Sequence, residues 1–379
     1  MSKSPLRVAV LGAGPVGLEA AVHAKSLGHA VAVFDRGQVG EHVHRWGFVR
    51  MFTPFGMNVT PLGRLTILKE TPGREFPADT DTVTGREFRE AYLVPLAETA
   101  YLKPCLRLQT TVVAVGRAGV RKTDSPDPRR AAAPFRLLVR EANGAERIEV
   151  ADTVLDCTGV FARPNWIGDG GIPAVGEIGA RQHIAMSLDD VAGVRRGHYA
   201  GKSVIVIGGG YSAAATVCDL ATVAADDQAT WVIWLTHGPR SQPLPRFAND
   251  PLKERDRLAA RANSLATRCD GNLEYHPQTQ VDELICHGPD QGFRVAGRVG
   301  GKPASWEVER VIANVGYRPD LGFCSELRVS ETSAGVLTDE PGYHVLGAKS
   351  RGRDSGFLLR DGHEQIRKIF AATGAKRAA

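Results

Sequence analysis

The feature that most constrains this chain is a pair of glycine turns, each set between two short apolar runs. Arg7-Val-Ala-Val-Leu11 is rich in β-branched residues and predicts a buried strand. It leads into Gly12-Ala-Gly14-Pro15-Val-Gly17. The segment Leu18 to Leu27 then has helical propensity and no breaker, and Gly28 ends it. A second strand, Ala30-Val-Ala-Val-Phe34, finishes at Asp35, 18 residues after Gly17. This is a βαβ unit with G-x-G-x-x-G at its first turn and an acid at the end of its second strand. Gly12 permits the tight turn, Gly14 admits a pyrophosphate to the backbone, and Gly17 lets the helix pack close to the strand. The helix start offers free N–H groups and a positive dipole end to phosphates. Asp35 can accept from a ribose diol.

The pattern recurs in mid-chain. Ser203-Val-Ile-Val-Ile207 predicts a strand, and Gly208-Gly-Gly210-Tyr211-Ser212-Ala213 reads G-x-G-x-x-A. A helix over 214–224 and a strand Trp231-Val-Ile-Trp-Leu235 follow. This strand ends in Thr236-His237-Gly-Pro-Arg240 rather than in an acid. Without a carboxylate a 2′-phosphate is not repelled, and Arg240 or His237 can pair with it. The expectation is NADPH in preference to NADH. Two dinucleotide units in one chain suggest a flavin at one and a nicotinamide at the other.

At 379 residues the chain is expected to hold two domains or three. Charged residues make up 23%, and the formal net charge of +5 is mild for this length, which argues against a nucleic-acid partner. The pairs Arg129–Arg130 and Arg195–Arg196 read as solvated surface. No apolar run approaches the roughly 20 residues needed to cross a membrane, and no signal peptide is legible. The six cysteines form no C-x-x-C pair, so no disulfide scaffold, metal site or thioredoxin-type dithiol is expected, and a cytoplasmic protein is.

These residues resemble the flavoproteins with two dinucleotide-binding domains, most closely the flavin-containing monooxygenases. Phe55-Gly-Met-Asn58-Val-Thr60-Pro61 is similar to the segment in which an asparagine approaches the flavin. Asp156-Cys-Thr158-Gly159 resembles the turn where the chain leaves the FAD domain. Gly179-Ala-Arg-Gln-His183 matches part of the monooxygenase fingerprint, with Glu177 where the fingerprint has Phe. Ala313-Asn-Val-Gly316-Tyr317 resembles the returning turn, and Gly347-Ala348 stands where relatives often have Gly-Asp.

The resemblance implies an α/β fold of two Rossmann-like three-layer domains. An FAD domain would comprise residues 1–165 and 312–379, with an NAD(P)H domain, 166–311, inserted. Cofactor contacts are expected from Gly12, Gly14, Pro15, Gly17, Asp35, Arg36, Trp46, Thr158, Gly159, Gly347 and Phe357 on the FAD side. On the NADPH side they are expected from Gly208, Gly210, Tyr211, Ser212, His237 and Arg240. Trp46 could shield the flavin ring or belong to the core. Arg50 could stabilise negative charge on reduced flavin, and Asn58 could stand beside the flavin and the nicotinamide amide as the other catalytic candidate. His183 could order the interdomain linker. Cys157 is expected to be a small core residue. The helical segment from Phe357 to Phe370 would aim its start at the flavin.

The implied activity is FAD- and NADPH-dependent monooxygenation through a C4a-(hydro)peroxyflavin, with O2 and a small amine or sulfur compound as substrates. A homodimer is the family-level expectation. Two alternatives stand beside it: a same-fold reductase passing electrons to a ferredoxin, quinone or organic acceptor, and a non-catalytic redox sensor.

Overall fold

The computed structural model describes residues 5–124, 128–269, 271–288 and 290–376, apart from the side chains of 372–376. The chain divides into two compact units, Met1–Arg163 with Arg318–Ala379, and Pro164–Tyr317.

The strands run in chain order as β1 (Arg7–Leu11), β2 (Ala30–Phe34), β3 (Leu106–Arg107), β4 (Thr110–Arg117), β5 (Phe135–Glu141), β6 (Glu146–Ala151) and β7 (Thr153–Asp156). Next come β8 (Ser203–Ile207), β9 (Trp231–Leu235), β10 (Leu273–His276), β11 (Thr279–Gly288), β12 (Gly292–Val299), β13 (Lys302–Val308) and β14 (Arg310–Ala313). The last are β15 (Val329–Thr332), β16 (Gly335–Thr338) and β17 (Tyr343–Val345). The longer helices are α1 (Pro15–Ser26), α2 (Pro61–Glu70), α3 (Tyr211–Asp226), α4 (Lys253–Arg268) and α5 (Leu359–Lys376).

The first unit is built on a parallel sheet in the order β17-β7-β1-β2-β3, with an antiparallel sheet β4-β5-β6 and the hairpin β15-β16. β1 is buried from Val8 onward because the sheet is covered on both faces. α1 contributes Leu18, Ala21 and Val22 to the core, where Phe55, Phe88, Leu93, Ile366 and Phe370 also pack. Its Glu19 is buried with them. Thr60 Oγ1 donates to Glu19 Oε2 at 2.7 Å, and the Tyr92 hydroxyl donates to Oε1. Burial pushes both the Glu19 carboxyl and the Tyr92 phenol up.

The second unit repeats the plan. Its parallel sheet runs β10-β9-β8-β14, beside an antiparallel sheet β11-β12-β13. β14 pairs with β8 over Arg310–Ala313, so residues 312–317 belong to the second unit. The return crossing therefore falls at Tyr317/Arg318, not at 312, because β14 completes this sheet.

Three further expectations are revised. α3 begins at Tyr211, directly after the glycine turn, rather than at 214. α5 begins at Leu359, with the Asp361 carboxylate accepting from Leu358 N at 3.3 Å. Arg130 is not a solvated cation: it is 3% exposed and donates through Nε and Nη2 to Glu340 Oε2. Arg117 donates to the other oxygen of Glu340 at 2.8 Å. That pairing fastens the loop after β4 to the segment before β17.

Candidate functional site

The first glycine turn sits at the carboxyl edge of β1. Gly12 has φ +102°, and a Cβ there would come within 2.7 Å of the Cys157 carbonyl oxygen. A Cβ on Gly17 would collide with the Gly12 carbonyl oxygen. The fold itself therefore demands both glycines. Gly14 is different: its φ is −80°, an ordinary value, and a Cβ there would meet nothing within 4 Å among the described residues. It is the N-cap of α1 and makes no side-chain cap, and Pro15 follows it. Asp35 braces the turn, accepting from Ala13 N at 2.7 Å and from Gly37 N at 2.8 Å. Burial pushes its carboxyl up. No other donor reaches it among the described residues, which leaves lone pairs for a ribose hydroxyl. Arg36 is exposed.

Beside this turn lies a buried ion pair that the sequence did not reveal. Lys349 Nζ is 2.6 Å from Asp156 Oδ2, and both side chains are 0% exposed. Tyr343 donates to the same oxygen at 2.8 Å, and Thr158 Oγ1 donates to Oδ1 at 2.6 Å. Lys349 also donates to Thr158 Oγ1 at 3.2 Å and lies 4.5 Å from the centre of the Phe323 ring. The cluster fixes two turns at the sheet edge, 156–159 after β7 and 347–351 after β17. Gly159 (φ +67°) and Gly347 (φ +72°) both need the left-handed region there. Cys157 lies between Asp156 and Thr158, and burial pushes its thiol well above its ordinary value.

The remaining residues expected near the flavin are placed as follows. Trp46 packs its ring against Gly85, and its Nε1–H is buried without a partner among the described residues. Asn58 is 1% exposed and spends its amide on its own loop: Oδ1 accepts from Thr53 Oγ1 at 2.7 Å, and Nδ2 donates to the Thr53 and Pro54 carbonyls. Arg50 is exposed and donates to the Thr82 carbonyl. Phe357 is half-buried and packs over Gly362 at the start of α5. An open Gly14, an uncapped helix start and an orphaned indole N–H are what a bound dinucleotide with a flavin ring would use, so these residues fit FAD.

In the second unit, Gly208 has φ +143°, and a Cβ there would collide with the Asn314 carbonyl oxygen. Gly210, the N-cap of α3, repeats the behaviour of Gly14: φ −96° and, among the described residues, nothing within 4 Å of an added Cβ. Tyr211 and Ser212 form the first turn of α3, which contains no acid. Buried Thr236 follows β9, and its Oγ1 is 2.9 Å from the Tyr275 hydroxyl. That hydroxyl donates to the Arg240 carbonyl at 2.7 Å, which ties the loop to the sheet edge while the Arg240 side chain is exposed. His237 is also exposed, 3.9 Å from Asp169.

Glu177, in the fingerprint's Phe position, is fully buried. Its oxygens accept from Ile167 N at 3.1 Å and Ala174 N at 3.0 Å, with Arg181 at 3.3 Å. An acid in this position folds the loop 167–174 around itself. His183 is exposed.

Among the described residues no helix is long and apolar enough to cross a membrane. No family model and no curated protein sequence matches the chain. Solved structures do. Bacillithiol disulfide reductase Bdr (YpdA) from Bacillus cereus is 17% identical, with a TM-score of 0.71 over 98% of this chain and 100% of its own. DfoA, the FAD-bound cadaverine monooxygenase of Erwinia amylovora, is 15% identical, with a TM-score of 0.66 over 96% and 93%. The ornithine N-hydroxylase KtzI of Kutzneria sp. 744, seen with reduced FAD, NADP+ and L-ornithine, is 16% identical, with a TM-score of 0.64 over 98% and 100%. The chain thus has the α/β fold of the flavoproteins with two dinucleotide-binding domains, a fold shared by disulfide reductases and N-hydroxylating monooxygenases.

Proposed function

We propose that this chain is an FAD-dependent, NADPH-using oxidoreductase, and a monooxygenase that oxygenates an amine nitrogen or a sulfur of a small molecule with O2. The observation that carries the cofactor reading is the pair Gly14 and Gly210. Each stands at the same place in its Rossmann unit, and neither is required by backbone angle or packing. Glycine there is explained by a ligand that must approach the backbone.

Bound FAD would supply the electron relay between NADPH and O2. The chain's own residues bind and orient. The start of α1 holds one pyrophosphate and the start of α3 the other, each with free N–H groups and the positive end of a helix dipole. Asp35 keeps the first turn closed and meets the ribose. The Lys349–Asp156–Thr158 cluster holds the two flanking turns. Trp46 offers its unpaired N–H to the cofactor. Arg240 and His237 receive the 2′-phosphate. Asn58 shapes the loop 53–58, and Arg50 is a cation held by Thr82 beside it.

Monooxygenation is favoured over disulfide reduction by the cysteines. The six form no C-x-x-C pair, and Cys157, half-buried at the flavin-side turn, has its thiol pushed well above its ordinary value. The second reading is a reductase acting on a non-thiol acceptor. Glu177 favours it, since the fingerprint's Phe is replaced by a loop-folding acid. The test is the coupling of NADPH oxidation to O2 and to peroxide release, with and without a panel of diamines, ornithine and thioethers. A compound that speeds NADPH oxidation while suppressing peroxide supports the monooxygenase. Rapid anaerobic NADPH oxidation with a quinone or ferredoxin, and no response to the panel, contradicts it.

A further inference from the structure

The carboxyl end of β14 carries groups that the reading above does not use. β8 lies between β9 and β14, and the chain leaves β8 toward β9 through α3. In open α/β sheets the ligand crevice opens where connections diverge, here between β8 and β14. One wall is the turn Gly208–Gly210. The other is Asn314, whose N–H donates to the Ile207 carbonyl at 2.8 Å.

Asn314 is 7% exposed. Its Oδ1 accepts from Thr216 Oγ1 at 2.8 Å, while its buried Nδ2 has no partner among the described residues. Thr216 has a single hydroxyl, so it satisfies one end of the amide whichever way that amide is set. Asn165 flanks the same turn. Its backbone N–H donates to the Gly316 carbonyl at 3.0 Å and its Nδ2 to the Val315 carbonyl at 3.1 Å, but its buried Oδ1 accepts nothing among the described residues. Buried amide ends without partners are rare in folded proteins and call for an explanation. Here one donor and one acceptor bracket one turn.

The adenosine half of a dinucleotide lies at the strand whose end reads the ribose, which is β9, so the nicotinamide half falls on the β14 side. A nicotinamide carries a primary carboxamide, with one carbonyl acceptor and one amino donor. We propose that Asn314 Nδ2 donates to that carbonyl and Asn165 Oδ1 accepts from that amino group, so that the pair recognises the nicotinamide end of the dinucleotide. The inference rests on the NADPH reading of the second turn.

The test is calorimetric binding of two probes to the full chain: NADP+, and adenosine 2′,5′-bisphosphate, which lacks the nicotinamide. The double variant Thr216→Val/Asn314→Leu removes both partners of the buried hydrogen bond together, which spares the fold. It is expected to bind NADP+ about tenfold more weakly, the worth of one or two neutral hydrogen bonds, and the bisphosphate as the parent does. Thr216→Val alone should leave both affinities in place, because the amide remains. Unchanged NADP+ binding by the double variant, or equal loss of both probes, overturns the proposal while leaving the NADPH reading intact. A parent chain that binds neither probe removes that reading, and this inference with it.

Discussion

Replacing Lys349 with Met should unfold the first unit at markedly lower temperature. Lys349 Nζ is the only cation hydrogen-bonded to Asp156 among the described residues, at 2.6 Å, with both side chains fully buried. Met fills similar volume but carries no charge, so Asp156 keeps the Tyr343 and Thr158 donors and loses its counter-ion. An uncompensated buried charge costs about 3–5 kcal/mol. For a unit of this size each kcal/mol moves the midpoint by about 3 °C, so the fall should be roughly 10 °C. Scanning calorimetry reads it directly. The double variant Lys349→Met/Asp156→Asn should recover most of the loss, since the neutral amide no longer needs a cation and its oxygen still accepts from Tyr343. A single variant within about 1 kcal/mol of the parent would refute the argument. So would a double variant less stable than the single one.

Two other outcomes follow from the geometry. Arg240→Ala should raise the KM for NADPH about tenfold or more and leave that for NADH nearly unchanged, since the exposed guanidinium beyond β9 has only the 2′-phosphate to distinguish the two; equal changes would remove its assignment. His363 is 6% exposed, and burial with Arg367 nearby pushes its imidazole down to about 4. Its contribution is complete above about pH 6.5 and is lost as the pH falls toward 4, because the unfolded chain binds a proton that the folded one refuses. The loss accumulates to about 3 kcal/mol, so His363→Leu should flatten the acid limb of thermal stability, and an unchanged slope would contradict the placement.

The strands carrying the glycine turns were legible residue for residue. β1, β2, β8 and β9 are continuous apolar runs because parallel strands are covered on both faces, and glycines or polar residues bound them. The glycines that the fold demands, Gly12, Gly17 and Gly208, were legible from their spacing in the turns that follow those strands. What the sequence hid was pairing at a distance. Arg130 reads as a solvated cation until the fold brings it to Glu340, and nothing near Asp156 in the chain points to Lys349, about 190 residues later, as its partner. The β14 boundary failed similarly: Arg310–Ala313 is recognisable as a sheet strand only beside β8, about a hundred residues earlier. Asn314 stood within a turn already singled out, but its unsatisfied amide became visible only once Thr216 was seen to occupy one end of it.

The central claim is that two glycine turns hold two different dinucleotides that exchange electrons. The most direct test is anaerobic titration of the FAD-reconstituted chain with NADPH, followed by the visible flavin spectrum, for the parent, Gly14→Val and Gly210→Val. The parent should be yellow and bleached by one equivalent of NADPH, Gly14→Val should retain no flavin, and Gly210→Val should stay yellow and not be bleached. A Gly14→Val variant fully loaded with FAD, or a Gly210→Val variant bleached as readily as the parent, would contradict the claim.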